Sequence, residues 1–211
     1  MLATFLVFLI QSPSADPFAK WEKEVSAIEK RLKESPPKKG GIVFAGSSTI
    51  RLWNLKKSFP DWNAVNCGFG GNQIRDNTHF AARLIFPLEP RAIVFYAGDN
   101  DVNAKRTPEQ VRDDFRAFVK TIHDKMPECK IYYLPIKPSV ARWAQYQTQS
   151  RANALVKADI AKNDTLTYID YCPLLLGPNG KPNPDLLRKD GLHMNDNGYA
   201  IVSAEVRKTV K

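Results

Sequence analysis

A chain of 211 residues with 43% hydrophobic and 25% charged side chains has the size and composition of one soluble globular domain able to bury its own core. Its net charge of +9 invites a nucleic-acid reading, but Lys and Arg are dispersed, interleave with Glu over residues 20–34, and are joined by no aromatic-basic motif, so nucleic acid is not the expected partner. The three cysteines, Cys67, Cys129 and Cys172, have neither metal-ligand nor redox spacing and read as structural thiols.

Residues 1–10 are almost wholly apolar and are followed by Gln-Ser-Pro-Ser-Ala. This run is too short to span a bilayer but suits the hydrophobic region of a secretory signal. The expectation is a signal peptide over 1–15 and a secreted or periplasmic mature chain without stable membrane insertion. No Lys or Arg precedes the run and Pro13 lies close to the expected cut, so the competing reading is a frayed strand or misplaced start on a cytoplasmic chain.

Asp16-Pro17 reads as an N-cap and first helical residue. Phe18, Trp21, Val25, Ile28 and Leu32 then recur at helical spacing until Pro36-Pro37, predicting a leading helix over 16–35. Apolar runs predict strands at 42–45, 64–67, 92–96, 131–134 and 166–169. Helices are expected between them at 50–57, at 74–84, from Thr107-Pro108-Glu109-Gln110 onward, and at 146–162. A last helix begins near Asn195 with Tyr199, Val202 and Val206 inward. Strands alternating with helices imply parallel pairing and right-handed crossovers, hence a single three-layer α/β/α sandwich over 16–211.

Four segments carry the chemistry: Gly46-Ser47-Ser48, Gly68-Phe69-Gly70-Gly71-Asn72, Gly98-Asp99-Asn100-Asp101 and Asp190-Gly191-Leu192-His193. The first three follow predicted strands, on the rim where open α/β sheets bind ligands. Ester cleavage needs a nucleophile, a base, a group to orient the base, and donors for the developing oxyanion, and these segments can supply all of them. Each has a plainer reading alone: glycine turns after strands are mostly structural, and a lone Asp-x-x-His is usually a turn or cap. Residues 68–71 lack the third glycine of a dinucleotide loop. Asp99 and Asp101 admit a divalent-cation reading, although the first strand ends in serines rather than paired aspartates. Lys137-Pro138-Ser139 and Ala141-Arg142-Trp143 either line a substrate pocket or pack their loop.

Together the segments resemble the SGNH/GDSL hydrolase family, and most nearly its branch of platelet-activating-factor acetylhydrolase catalytic subunits and bacterial acetylesterases. The pattern Asn-x-Gly-x-Gly-Gly of that branch stands here as Asn66-Cys67-Gly68-Phe69-Gly70-Gly71. The resemblance implies a flavodoxin-like parallel five-stranded sheet and no metal or organic cofactor. It also implies Ser48 as nucleophile, His193 as base, Asp190 as its orienter, and an oxyanion hole from the Ser48 and Gly71 N–H groups and the Asn100 amide. The activity implied is serine esterase action on short-chain esters, acetyl esters among them, of a small molecule, carbohydrate or lipid. Ser47 replaces the family's usual aspartate, which leaves the bracing of the nucleophile loop open and makes Ser47 a second candidate for attack. The rival readings are a catalytically silent domain of this fold that binds sugar or lipid, and a metal-dependent or nucleotide-binding doubly wound protein. Oligomeric state is not legible.

Overall fold

A computed structural model describes residues 16–211, and the expected signal peptide lies outside the described residues. Strands β1 (Ile42–Gly46), β2 (Ala64–Asn66), β3 (Ala92–Tyr96), β4 (Lys130–Tyr133) and β5 (Leu166–Tyr168) form one five-stranded sheet in the order β2-β1-β3-β4-β5. Every neighbouring pair is parallel. The chain leaves β1 toward one edge and returns across it to β3, so the strand order reverses between these two. The crevice beyond their carboxyl ends is where such sheets hold ligands.

The continuous apolar runs are explained by burial on both faces. Val43, Ala45, Ile93, Phe95, Ile131 and Tyr133 point to one side. They meet α1 (Glu22–Glu34), α4 (Ile74–His79), α5 (Ala81–Leu84), α7 (Pro108–His123) and α8 (Tyr146–Ile160). Phe44, Val94, Tyr96, Tyr132 and Leu134 point to the other, where α2 (Ser48–Arg51), α3 (Leu55–Ser58) and α9 (Asp196–Thr209) cover them. Alternate residues thus serve two cores, as the period of an extended strand requires. Among the described residues no helix is long and apolar enough to cross a membrane.

Four expectations need correction. The helix at 50–57 is two single turns, α2 and α3, and α2 starts earlier, at Ser48. Asn54 caps the second turn by accepting from Lys57 N at 3.1 Å. Between the turns, Trp53 is drawn into the core, its Nε1 donating to Ser58 and Ser203. The helix at 74–84 breaks at Phe80, which leaves helical geometry (φ −88°, ψ 5°) and buries its ring edge-on to Phe69 and Phe18. The turn at 98–101 is instead the start of a short helix, α6 (Asp99–Asn103). The leading segment opens as one 3-10 turn, Ala19–Trp21, before α1, with Asp16 accepting from Phe18 N at 2.9 Å.

Candidate active site

β1 ends in a turn that only glycine permits. Gly46 has φ 140°, and a Cβ there would lie 1.9 Å from the Tyr96 carbonyl oxygen. That close approach lets Ser47 N donate to Tyr96 O at 2.9 Å and sets Ser48 at the first position of α2. Ser48 is 8% exposed. Its helix is tied down from α9, whose Tyr199 hydroxyl donates to Thr49 O at 2.8 Å.

His193 reaches Ser48 from the segment before α9, its Nε2 lying 2.9 Å from Ser48 Oγ. Its Nδ1 lies 2.7 Å from Asp190 Oδ2, while Asp190 Oδ1 accepts from the backbone N–H of Leu192 and of His193, each at 2.9 Å. One carboxylate therefore closes the loop and orients the ring within it. Partial burial works against the charge of Asp190, but the His193 ring and the two backbone donors outweigh it and hold the carboxyl well below the usual range. An ionised partner at Nδ1 assigns the proton to that nitrogen and leaves Nε2 free to accept from the serine hydroxyl. The loop is anchored by Arg188 N to His193 O (2.7 Å), Ala141 N to Gly191 O (3.0 Å) and Lys137 Nζ to Leu192 O (2.5 Å).

Gly71 has φ 77°, a left-handed backbone that disfavours other residues. Among the described residues, neither the Gly71 nor the Ser48 N–H donates to a protein acceptor. Asn100 Nδ2 lies 3.0 Å from the carbonyl oxygen of Asn72, the residue after Gly71, so two of the expected oxyanion donors are neighbours. The link between loops is Asn72 itself. It is fully buried, donates to Gly46 O at 2.9 Å and accepts from Asn77 Nδ2 at 3.0 Å. Asn66 adds a second tie, donating to Ile50 O at 2.7 Å and accepting from Gly68 N at 2.9 Å. The leading helix braces the same loop: Glu24 accepts from Gly70 N at 2.9 Å, and Trp21 packs edge-on to Phe69 and over Gly71. Nothing in the spacing of Asn72, Glu24 or Trp21 announces these roles.

Residues 51–201 match the model of the GDSL-like lipase/acylhydrolase family, a span that opens just beyond Ser48 and takes in Gly71, Asn100, Asp190 and His193. The chain belongs to this family. Membership makes it a serine ester hydrolase. Platelet-activating factor acetylhydrolase IB subunit alpha1 of Homo sapiens is 26% identical over 179 residues, covering 80% of this chain and 74% of that protein. A solved chain from Streptococcus pneumonia, provisionally described as a platelet activating factor, matches with TM-score 0.81 at 17% identity over 92% of this chain and 94% of its own. A carbohydrate esterase family 3 structure from Talaromyces cellulolyticus matches with TM-score 0.63 at 18% identity over 80% and 95%. At such identities the structural likenesses carry the fold, an SGNH-type parallel α/β sheet.

Where GDSL-family chains usually place aspartate, Ser47 is fully buried and its hydroxyl has no partner among the described residues. Ser48, not Ser47, is the serine whose hydroxyl contacts the imidazole. The two aspartates beside Asn100 are both engaged by protein groups. Asp99 pairs with Arg142 at 3.0 Å, and Asp101 accepts from Ile74 N at 3.2 Å. Lys137 and Ser139 are buried, and Arg142 bonds Asp99 and Asn100, so this loop packs and braces. His79 stacks on Phe18 and His123 contacts Cys129 O, both away from Ser48.

Burial pushes the Asp101 carboxyl up to about 7. An unfolded carboxyl titrates near ~3.9, so between that value and about 7 the native state holds a proton that the unfolded chain releases. Stability therefore falls as pH rises through this window. Asp101→Asn keeps an acceptor for Ile74 N–H without the buried charge. Its melting temperature should gain on the native protein's by at least about 3 °C between pH 5 and pH 8, the equivalent of roughly 1 kcal/mol.

Proposed function

We propose that this hydrolase cleaves short-chain carboxylic esters, acetyl esters foremost, through an acyl-enzyme formed on Ser48. The reading rests on one observation: an unbroken hydrogen-bonded line from Ser48 Oγ through His193 to Asp190, at 2.9 and 2.7 Å. His193 Nε2 takes the hydroxyl proton as Oγ bonds to the ester carbonyl carbon, and the carbonyl π pair moves onto oxygen. The Ser48 and Gly71 N–H groups and the Asn100 amide donate to that oxyanion. Collapse expels the alkoxide, which takes the proton from the imidazolium and leaves as the alcohol. Water, deprotonated by the same nitrogen, then attacks the acyl carbon; the bond to Ser48 Oγ breaks, Oγ takes the proton back from the imidazolium, and the carboxylic acid leaves. Throughout, Asp190 stays ionised and steadies the imidazolium without taking its proton.

The acetyl preference draws on the likeness to an acetylhydrolase subunit, and a carbohydrate-borne ester on the likeness to a carbohydrate esterase. Mass spectrometry after treatment with a fluorophosphonate probe tests the reading. The native protein should carry one adduct on Ser48, and His193→Ala should carry none. Turnover of p-nitrophenyl acetate should persist with chelator present. A native protein inert to the probe would support a silent sugar- or lipid-binding domain instead.

A further inference from the structure

A carboxamide turned by half a circle about its last torsion exchanges oxygen for nitrogen at little steric cost. Only one arrangement of Asn100 offers an N–H to an oxyanion. In the structure both ends of this amide are held: Nδ2 donates to Asn72 O at 3.0 Å, and Oδ1 accepts from Arg142 Nη2 at 2.9 Å. The reversed amide would set N–H against guanidinium N–H and oxygen against a carbonyl oxygen, replacing two hydrogen bonds by two repulsions. With one Nδ2 hydrogen on Asn72, the other remains for the substrate oxygen.

The guanidinium is fixed in turn. Its Nη1 lies 3.0 Å from Asp99 Oδ2, and the two side chains are only 13% and 5% exposed. One planar fork thus grips two consecutive residues at the start of α6, a geometry that a point-charge lysine cannot reproduce. Being largely out of water, the pair is little screened by salt. Arg142 also belongs to the loop after β4, whose Ala141 N and Lys137 Nζ bond the carbonyls of Gly191 and Leu192 in the His193 loop. The same short loop therefore touches the oxyanion side and the base side of the site.

We propose that Arg142 is a positioning residue for the oxyanion hole, holding the Asn100 amide in its donating orientation and, through its loop, in register with His193. The proposal rests on the esterase reading above and adds to it a residue that never meets substrate.

Steady-state kinetics on p-nitrophenyl acetate test it with Arg142→Met, Arg142→Lys, Asn100→Ala and the Arg142→Met/Asn100→Ala double variant. Arg142→Met should lower kcat by about 100-fold, the scale of one lost oxyanion donor, with KM within about threefold. Arg142→Lys, reaching one acceptor at a time, should restore only part of that loss. In the Asn100→Ala background the Arg142→Met change should add less than about twofold, because the group it positions is gone. Arg142→Met strands the buried Asp99 carboxylate, so Asp99→Asn/Arg142→Met is the companion variant. It should fold and still show the low kcat. An equal loss in both backgrounds, a raised KM with kcat intact, or native rates in Arg142→Met would each overturn the proposal. In those outcomes a fluorophosphonate adduct on native Ser48 keeps the hydrolase reading standing. A native protein inert to both ester and probe sinks the two together.

Discussion

Ser48→Ala should reduce turnover of p-nitrophenyl acetate by roughly 10⁵-fold or more, leaving only the residual rate that oxyanion stabilisation and binding supply without a nucleophile. Among the described residues the side-chain hydrogen bond at stake is Ser48 Oγ to His193 Nε2, so the fold has little to lose and the melting temperature should stay within about 2 °C. His193→Ala should cost a similar factor, because a serine hydroxyl without its base is a poor nucleophile at neutral pH. Combining the two should cost hardly more than either alone, since each removes the same step. That non-additivity separates a working pair from two residues that merely stabilise the site. Ser47→Ala is the control for the adjacent serine. Its hydroxyl is buried without a protein partner among the described residues, so its removal should leave kcat within a few-fold of native. Full activity in Ser48→Ala, or its loss in Ser47→Ala alone, would overturn the nucleophile assignment.

What could be read from the sequence follows a physical division. The strand at 92–96 matches β3 to the residue because it is a continuous apolar run buried on both faces, a signal local to the segment. The helix from Pro108 was equally legible, since its capping box and proline mark the start and one apolar stripe marks the face. The misread helices have another origin. Trp53 and Phe80 break their segments because their rings are recruited by residues distant in sequence, Ser203 for one and Phe18 for the other. Periodicity carries no record of that recruitment.

The site divides in the same way. Ser48, Gly71, Asn100, Asp190 and His193 could be proposed from short blocks because each block matches a contiguous stretch of the family pattern that the chain resembles. The contacts of Arg142, Glu24 and Trp21 with these blocks could not be read, since each reaches a loop far along the chain. Arg142 contacts Asn100 across 42 positions, and Glu24 contacts Gly70 across 46. Asn72 is intermediate: it lies inside a recognised block, yet its importance comes from complete burial and three hydrogen bonds that only the folded arrangement makes. Residues proposed to react are therefore legible as motifs here, and the residues that contact their loops are legible only in the fold.

Asp190→Asn should lower kcat by about 10³- to 10⁴-fold while leaving the loop folded. The asparagine oxygen can still accept from the N–H groups of Leu192 and His193, which keeps the turn closed. The change falls on the other atom, where an oxygen 2.7 Å from His193 Nδ1 becomes an NH₂ donor. A donor there favours the tautomer that accepts at Nδ1 and carries its proton on Nε2. That nitrogen then faces Ser48 with an N–H and cannot take the hydroxyl proton. Asp190→Ala would remove the loop's acceptors as well and confuse orientation with folding, so the isosteric change is the informative one. A stability signature accompanies the kinetic one. The native carboxyl is held below its ordinary range, so it contributes stability above the titration of an unfolded carboxyl, and that contribution is lost as pH falls. Any excess in native over variant melting temperature at pH 7 should close as the pH drops below about 4. A variant with kcat within tenfold of native would show that His193 needs no carboxylate to present Nε2. Asp190 would then be a loop closure and nothing more.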